Sequence, residues 1–335
     1  MDVIGVGIAI IDVIHEVAAY PEEDLKIRSL ESRKCRGGNV ANALVVCSQL
    51  GSRCRWLGVS TDPEKDSDAA FVYNDLAAYG VDCSLVSIET QGNMPISLIF
   101  SSRATGSRII IHSRNLVELS YEAFVKQLTL YRGKLQDDEN HATWFHFEGR
   151  NLGATEKMML HVRKEMPTAK ISVEIEAIRN DWVSAMKLIS LADYTFISKD
   201  YIREKLAVQS AEQLFDAVVA KQWGSKLALQ AKAFICPWGA EGVYFLNVPR
   251  SVTHHLPASH LHRVIETIGA GDSFIGAALA GFSSGKLPLE DVLKTACEVA
   301  SAKCLKQGFA MSLEEQTKWQ KKIHSEIGNV GANAA

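Results

Sequence analysis

The chain has 335 residues, 47% of them hydrophobic and 22% charged, the balance of a globular enzyme rather than of a disordered or fibrous chain. Its 36 basic and 39 acidic residues leave a formal charge of −3, which argues against nucleic acid and membrane partners, since both need clustered Lys and Arg; small molecules are the expected ligands. Seven cysteines without a C-x-x-C pair exclude a disulfide framework or a zinc ribbon and read as reduced, mostly buried thiols.

The chain opens on MDVIGVGIAIIDVI, which carries Asp2 and Asp12 and has neither a basic leader nor a small-residue cleavage site. No apolar run approaches the roughly 20 residues of a membrane span, so a cytoplasmic location is expected. Val3 to Val13 reads as one β-branched strand buried on both faces of a parallel sheet. Residues 25–36 read as an exposed strand or hairpin arm, ended by Gly37 and Gly38. The run NVANALVVCSQLG then has helical spacing and closes on Gly51.

Further along come a strand at CRWLGVS, a helix over 68–79, a strand at VDCSLVSIE, and two strands in 94–112 around a turn at 104–107. From TWFHFEG onward strands and helices alternate through KISVEIE, YTFIS and KAFICPW, followed by a hairpin-like EGVYFLNV. A strand at HRVIET leads through IGAGDSF into a small-residue helix ending near Gly285, and a last helix over 289–305 precedes a polar tail. The fold class is α/β: a mostly parallel, doubly wound sheet flanked by helices, with a small β-sheet lid. With no Pro/Gly/Ser-rich linker, residues 1–325 form a single domain, its lid strands at about 10–36 and 94–114, and 326–335 form a disordered tail.

Chemistry concentrates at Gly269, Ala270, Gly271 and Asp272, where a strand would turn through glycines into a helix. Such a turn aims backbone N–H groups and the helix dipole at one spot, an anion site. A carboxylate beside that site cannot bind phosphate, but it can accept a proton from an attacking hydroxyl. The same four residues also describe a chemically silent Asp at a helix N-terminus. Gly37, Gly38, Asn39 and Asn42 put two amides three residues apart on one helix face, and Asp12 lies near the end of the first strand, where open α/β sheets bind ligands. Carboxylates and amides suit a polyhydroxy ligand, although a helix cap and a surface Asp would look the same. Neither G-x-G-x-x-G nor G-x-x-x-x-G-K-[ST] occurs. His254, His255, His260 and His262 lack the spacing of a helix-face ligand pair, and their stretch includes Pro257, so a zinc site is not expected.

In GIAIIDVI, YPEEDLKIR, RGGNVAN, SRIIIH, FHFEGRN, SVEIE, FISKD, WGAEG, ETIGAGDSF and KCLKQGF, taken in order, the chain resembles the ribokinase-like carbohydrate kinases of the phosphofructokinase B family, and within it the ketohexokinase branch. The resemblance implies transfer of the ATP γ-phosphoryl to a sugar hydroxyl, a ketohexose such as fructose giving its 1-phosphate. It implies Asp272 as catalytic base, Gly269, Ala270 and Gly271 as the anion hole, and Asp12, Gly38, Asn39 and Asn42 as sugar ligands. Arg108 would reach the phosphates from the lid. Trp238, Gly239, Glu241, Gly242 and Cys297 would lie on the adenine side, and Glu148 and Glu176 near Mg²⁺ through water. A monovalent cation is a further implied cofactor. Asp24 would reach a neighbour's sugar site in a homodimer clasped through the lid strands. A kinase of another sugar or nucleoside, or a sensor that binds sugar without catalysis, fits the same motifs.

The chain departs from the family pattern at several points. Glu266 stands where Asp usually introduces the GAGD turn, which bears on the position of that loop and on a monovalent ion. Val40 replaces a small residue, Ser198 to Tyr201 replace N-x-x-E, and Ala310 replaces the Asp of GFD.

Overall fold

The computed structural model describes residues 1–135, 142–178, 180–220 and 231–325. Among these residues the main sheet has nine strands. Seven are parallel: β6 (Val81–Asp82), β4 (Arg53–Leu57), β1 (Asp2–Val6), β10 (Thr143–Glu148), β11 (Lys170–Ile175), β12 (Tyr194–Ile197) and β13 (Ala233–Pro237), in that spatial order. Two antiparallel strands, β14 (Val243–Asn247) and β15 (Val252–Leu256), finish one edge.

The parallel strands β1, β4, β10, β12 and β13 carry apolar side chains on both faces, so the sheet has a core on each side. Val3 joins the core beneath α1 (Asn39–Gln49), α8 (Ala270–Ser284) and α9 (Leu289–Lys303). Ile4 and Val6 join the core beneath α4 (Leu152–Glu165), α5 (Trp182–Leu191) and α7 (Ala211–Val219). This is the doubly wound arrangement, with its switch point between β1 and β10.

The expected single strand over 3–13 is two strands in two sheets. After β1 the chain passes Gly7, Ile8 and Ala9 and enters β2 (Ile10–Val17) of a separate four-stranded sheet. That sheet runs β3 (Glu31–Gly37), β2, β8 (Ile96–Ser102), β9 (Arg108–Ser113). Both strands are largely buried, so the apolar run never shows the change of sheet. Residues 21–30 have no regular structure, leaving the arm shorter than 25–36.

Two other expected strands are also broken. CRWLGVS divides at Gly58 into β4 and β5 (Val59–Thr61). VDCSLVSIE divides into β6 and β7 (Ser87–Glu89), because Asp82 accepts from the Ser84 N–H at 2.7 Å and starts a turn. β5 and β7 form a small parallel pair.

HRVIET forms no strand. Val264 and Ile265 are exposed there, and the Ile265 N–H bonds to the Cys304 carbonyl at 2.8 Å. The edge strand lies earlier, at β15, where His254 stacks on Phe245 and His255 on Tyr244. Among the described residues, three helices lay outside the expected elements: α3 (Tyr121–Lys134), α6 (Lys199–Leu206) and α10 (Leu313–His324). The last of these falls in the expected polar tail. A capping box of Ser312 and Glu315 starts it, and Trp319 and Ile323 bury one narrow stripe beneath its charges. Residues 326–335, the expected disordered tail, lie outside the described residues. The helix α2 (Ser67–Ala78) and the hairpin β8–β9 match expectation.

Candidate active site

The carboxyl ends of β1, β10, β11, β12 and β13 open onto one cleft of about 670 Å³. The four-stranded sheet stands over it. Because side chains alternate along a strand, Asp12, Ser97 and His112, which face one another across β2, β8 and β9, all point into the cleft. Arg108, at the start of β9, lines it too.

Asp272 sits on the cleft floor in the first turn of α8. The turn before it needs Gly269, whose backbone is left-handed (φ 79°) and whose missing side chain leaves room for the Phe309 ring. Gly38 does the same service for α1, at φ 98°. The two helices pack closely because a Cβ on Gly276 would stand 2.4 Å from the Ala43 carbonyl oxygen. Asn42 of α1 therefore meets Asp272 of α8, and its Nδ2 donates to Asp272 Oδ2 at 2.6 Å. Arg36, buried at the end of β3, donates to Asn42 Oδ1 and, through Nε, to Asp75 at 2.6 Å.

Burial pushes the Asp272 carboxyl up to about 7; Glu176 and Glu148 add to the rise, while the Asn42 amide and Arg36 oppose it. Asp12 is raised to about 6, again by burial, with Arg36 and a hydrogen bond from Ser97 holding it down. Asn39 lines the cleft beside it and donates to Glu174 at 3.3 Å.

Three glutamates close the far wall. Glu148 accepts from the Ile8 N–H at 3.0 Å and from Arg150 at 3.3 Å, and burial raises its carboxyl. Glu174 is pushed well above the ordinary carboxylate range by burial and by the charges of Glu176, Asp272 and Glu148. Among the described residues no three His, Cys, Asp or Glu side chains converge as a metal cage. The chemistry fits Mg²⁺ nonetheless. That ion is usually held by phosphates and water with one or two carboxylates, and a divalent charge would relieve this crowding.

A second, more apolar hollow of about 610 Å³ adjoins the first across Thr267 and Gly271, lined by Gly239, Gly242, Ala270, Phe274 and Cys297. Trp238 and Glu241 line neither hollow. The Trp238 ring is buried against Tyr244 and Arg203, and Glu241 accepts from the Tyr244 hydroxyl at 3.4 Å. Asp24 lies exposed in the segment between β2 and β3 and does not line the cleft of its own chain. Sequence reasoning missed Glu174, Arg36, Ser97 and His112 as site residues, and Lys199, which enters the cleft at the start of α6. Glu174 shares the segment SVEIE with Glu176, and both line the cleft, two residues apart.

A doubly wound α/β body whose carboxyl-end cleft is roofed by a small separate sheet is the ribokinase-like fold. The profile of the pfkB family carbohydrate kinases matches residues 2–316, and the chain belongs to that family. It is 32% identical over 315 residues to ketohexokinase of Mus musculus, across 92% of this chain and 97% of that one. Ribokinase of Arabidopsis thaliana, solved with ribose and ATP, superposes with a TM-score of 0.72 over 95% of this chain and 98% of its own, at 16% identity. A Burkholderia thailandensis nucleoside kinase, solved with inosine, gives 0.70 over 95% and 97%, at 18% identity. Among the described residues no helix is long and apolar enough to cross a membrane.

Proposed function

We propose that this carbohydrate kinase transfers the γ-phosphoryl of ATP to a hydroxyl of a ketohexose such as fructose, giving the 1-phosphate, with Asp272 as catalytic base. One observation carries the reading. A carboxylate raised to about 7 lies at the N-terminus of α8, poised near neutral pH to take a proton and oriented by the Asn42 amide.

The sugar lies under the four-stranded sheet, held by Asp12, Asn39 and Asn42 beside Gly38. Its hydroxyl loses a proton to Asp272 as its oxygen bonds to the γ-phosphorus, and the bond from that phosphorus to the β-phosphate oxygen breaks to release ADP. The backbone N–H groups of Gly269 and Gly271 and the guanidinium of Arg108 stabilise charge on the transferring group, whereas the Ala270 N–H of the expected anion hole donates to the Thr267 carbonyl at 3.2 Å. Adenine lies in the apolar hollow along Gly239, Gly242 and Cys297. Mg²⁺, held by the phosphates and by water on Glu148 and Glu176, would neutralise phosphate charge.

The four-stranded sheet acts as a lid that excludes competing water. Its outward face carries Leu98, Ile109 and Ile111, each at least 40% exposed, which supports a homodimer formed through the lids. The similarity to mouse ketohexokinase supports a ketose acceptor. The nucleoside kinase likeness supports a second reading, a nucleoside acceptor in the same cleft. A coupled assay of ADP release with fructose, tagatose, ribose, ribulose and adenosine separates the two. Fructose turning over fastest is expected; adenosine or ribose doing so overturns the ketohexose assignment, and thermal stabilisation by sugar without ADP release overturns the enzyme.

A further inference from the structure

Glu266, just upstream of the Gly269 turn, is fully engaged. One carboxylate oxygen pairs with Arg33 of β3. The other accepts from Lys303 Nζ at 2.7 Å and from the Gly308 N–H at 3.0 Å, and the Glu266 carbonyl lies 3.5 Å from the same ammonium. Lys303 is 4% exposed and ends α9, where the helix dipole favours a positive charge. Its ammonium stands 5.8 Å from the centroid of the Phe309 ring, which fills the space beside Gly269.

The segments 265–269 and 304–309 are thus joined by a charge that belongs to the chain. A potassium or sodium ion at this junction would need oxygens that already face Lys303, Arg33 and an N–H. Two cations against one carboxylate also leave the locus positive, so a third would be repelled. The residues present do not fit a monovalent cation.

We propose that the Lys303 ammonium is the resident cation of the turn that carries Asp272, so that phosphoryl transfer here needs no monovalent metal ion. Lys303 is a positioning residue: it touches no substrate and acts by holding Glu266, and through Phe309 the Gly269 backbone. The inference rests on the kinase reading for its activity readout only.

The test measures ADP release and thermal unfolding in potassium, sodium and tetramethylammonium chlorides at equal ionic strength, for the parent protein, Lys303→Met and Lys303→Arg. Parent rates agreeing within about 2-fold across the salts, with equal melting temperatures, are expected; activation by potassium of about 10-fold or more, or a potassium-specific rise in melting temperature, overturns the proposal. Lys303→Met is expected to lose about 10-fold or more in kcat in tetramethylammonium and to regain part of it in potassium, with a potassium-specific rise in melting temperature. Lys303→Arg keeps the charge and stays insensitive to the salt. A Lys303→Met protein as active in tetramethylammonium as the parent overturns the proposal, and so does a folded one that potassium neither rescues nor stabilises. If Lys303→Met does not fold, the parent and Lys303→Arg melts decide. A parent that releases no ADP with any acceptor yet melts identically in all three salts refutes the kinase reading and leaves Lys303 standing as the resident cation of the turn.

Discussion

The Asn42 side-chain amide is held at both ends: its nitrogen donates to Asp272 at 2.6 Å and its oxygen accepts from the buried Arg36. The amide therefore cannot flip without placing oxygen against carboxylate, and Asp272 keeps one orientation on the cleft floor. Removing the carboxylate leaves this frame and both hollows in place. Asp272→Asn is expected to bind ATP as the parent does, by calorimetry, while phosphoryl transfer falls by about 10²-fold or more. Parent-like turnover would remove Asp272 as the base.

As the proposed base, the same carboxyl would set the pH dependence. A base raised to about 7 must be unprotonated to work, so kcat/KM is expected to fall about tenfold per pH unit below that value. Arg36 holds the carboxyl down, so Arg36→Met moves this acid limb to higher pH. An unmoved limb in a folded variant would mean that Arg36 has no electrostatic part in the site.

Stability follows with the opposite benefit. The folded Asp272 carboxyl lies near 7 and its ordinary value is 3.8, so between those values the folded chain keeps a proton that the unfolded chain has lost. Its contribution to stability is thus lost as pH rises through about 7. Asp272→Asn carries no charge, and at pH 8 it should melt a few degrees above the parent, the difference closing as pH falls toward 4. Equal melting curves at pH 8 would show that the buried carboxylate carries no such cost.

The sugar-binding role proposed for Asp12 allows binding to be separated from chemistry. Asp12 lines the cleft from β2 of the lid sheet, and burial raises it to about 6. Asp12→Asn should raise the sugar KM by about 10-fold or more with little change in the ATP KM. A larger effect on the ATP KM would move Asp12 out of the sugar pocket.

Much of this site was legible in the sequence because glycine punctuates it. Gly38 and Gly269 adopt backbone that other residues resist, so the starts of α1 and α8, and with them Asn42 and Asp272, were readable as local chemistry. What stayed hidden depends on distance in the chain. Arg36 reaches Asp75, and Lys303 reaches Glu266, 37 residues away, and neither contact leaves a periodic trace. The passage from β1 to β2 was unreadable for another reason: burial in two successive sheets produces the same apolar run as burial in one.

The proposed homodimer makes the sharpest demand on Asp24, which stands exposed between β2 and β3 and lines no part of its own cleft. If the lids pack through Leu98, Ile109 and Ile111, the family resemblance implies that each Asp24 reaches the other subunit's sugar. Replacing Ile109 and Ile111 by Lys should then give a monomer by light scattering. A double variant that remains a dimer would move the interface elsewhere. Asp24→Asn and Asp272→Asn, each impaired alone, should complement when co-expressed, because a mixed dimer contains one site with neither lesion. With random pairing the mixture recovers roughly a quarter of parent activity, half the dimers having one intact site of two. Recovery no greater than the average of the two single variants would mean that Asp24 serves no site across the interface.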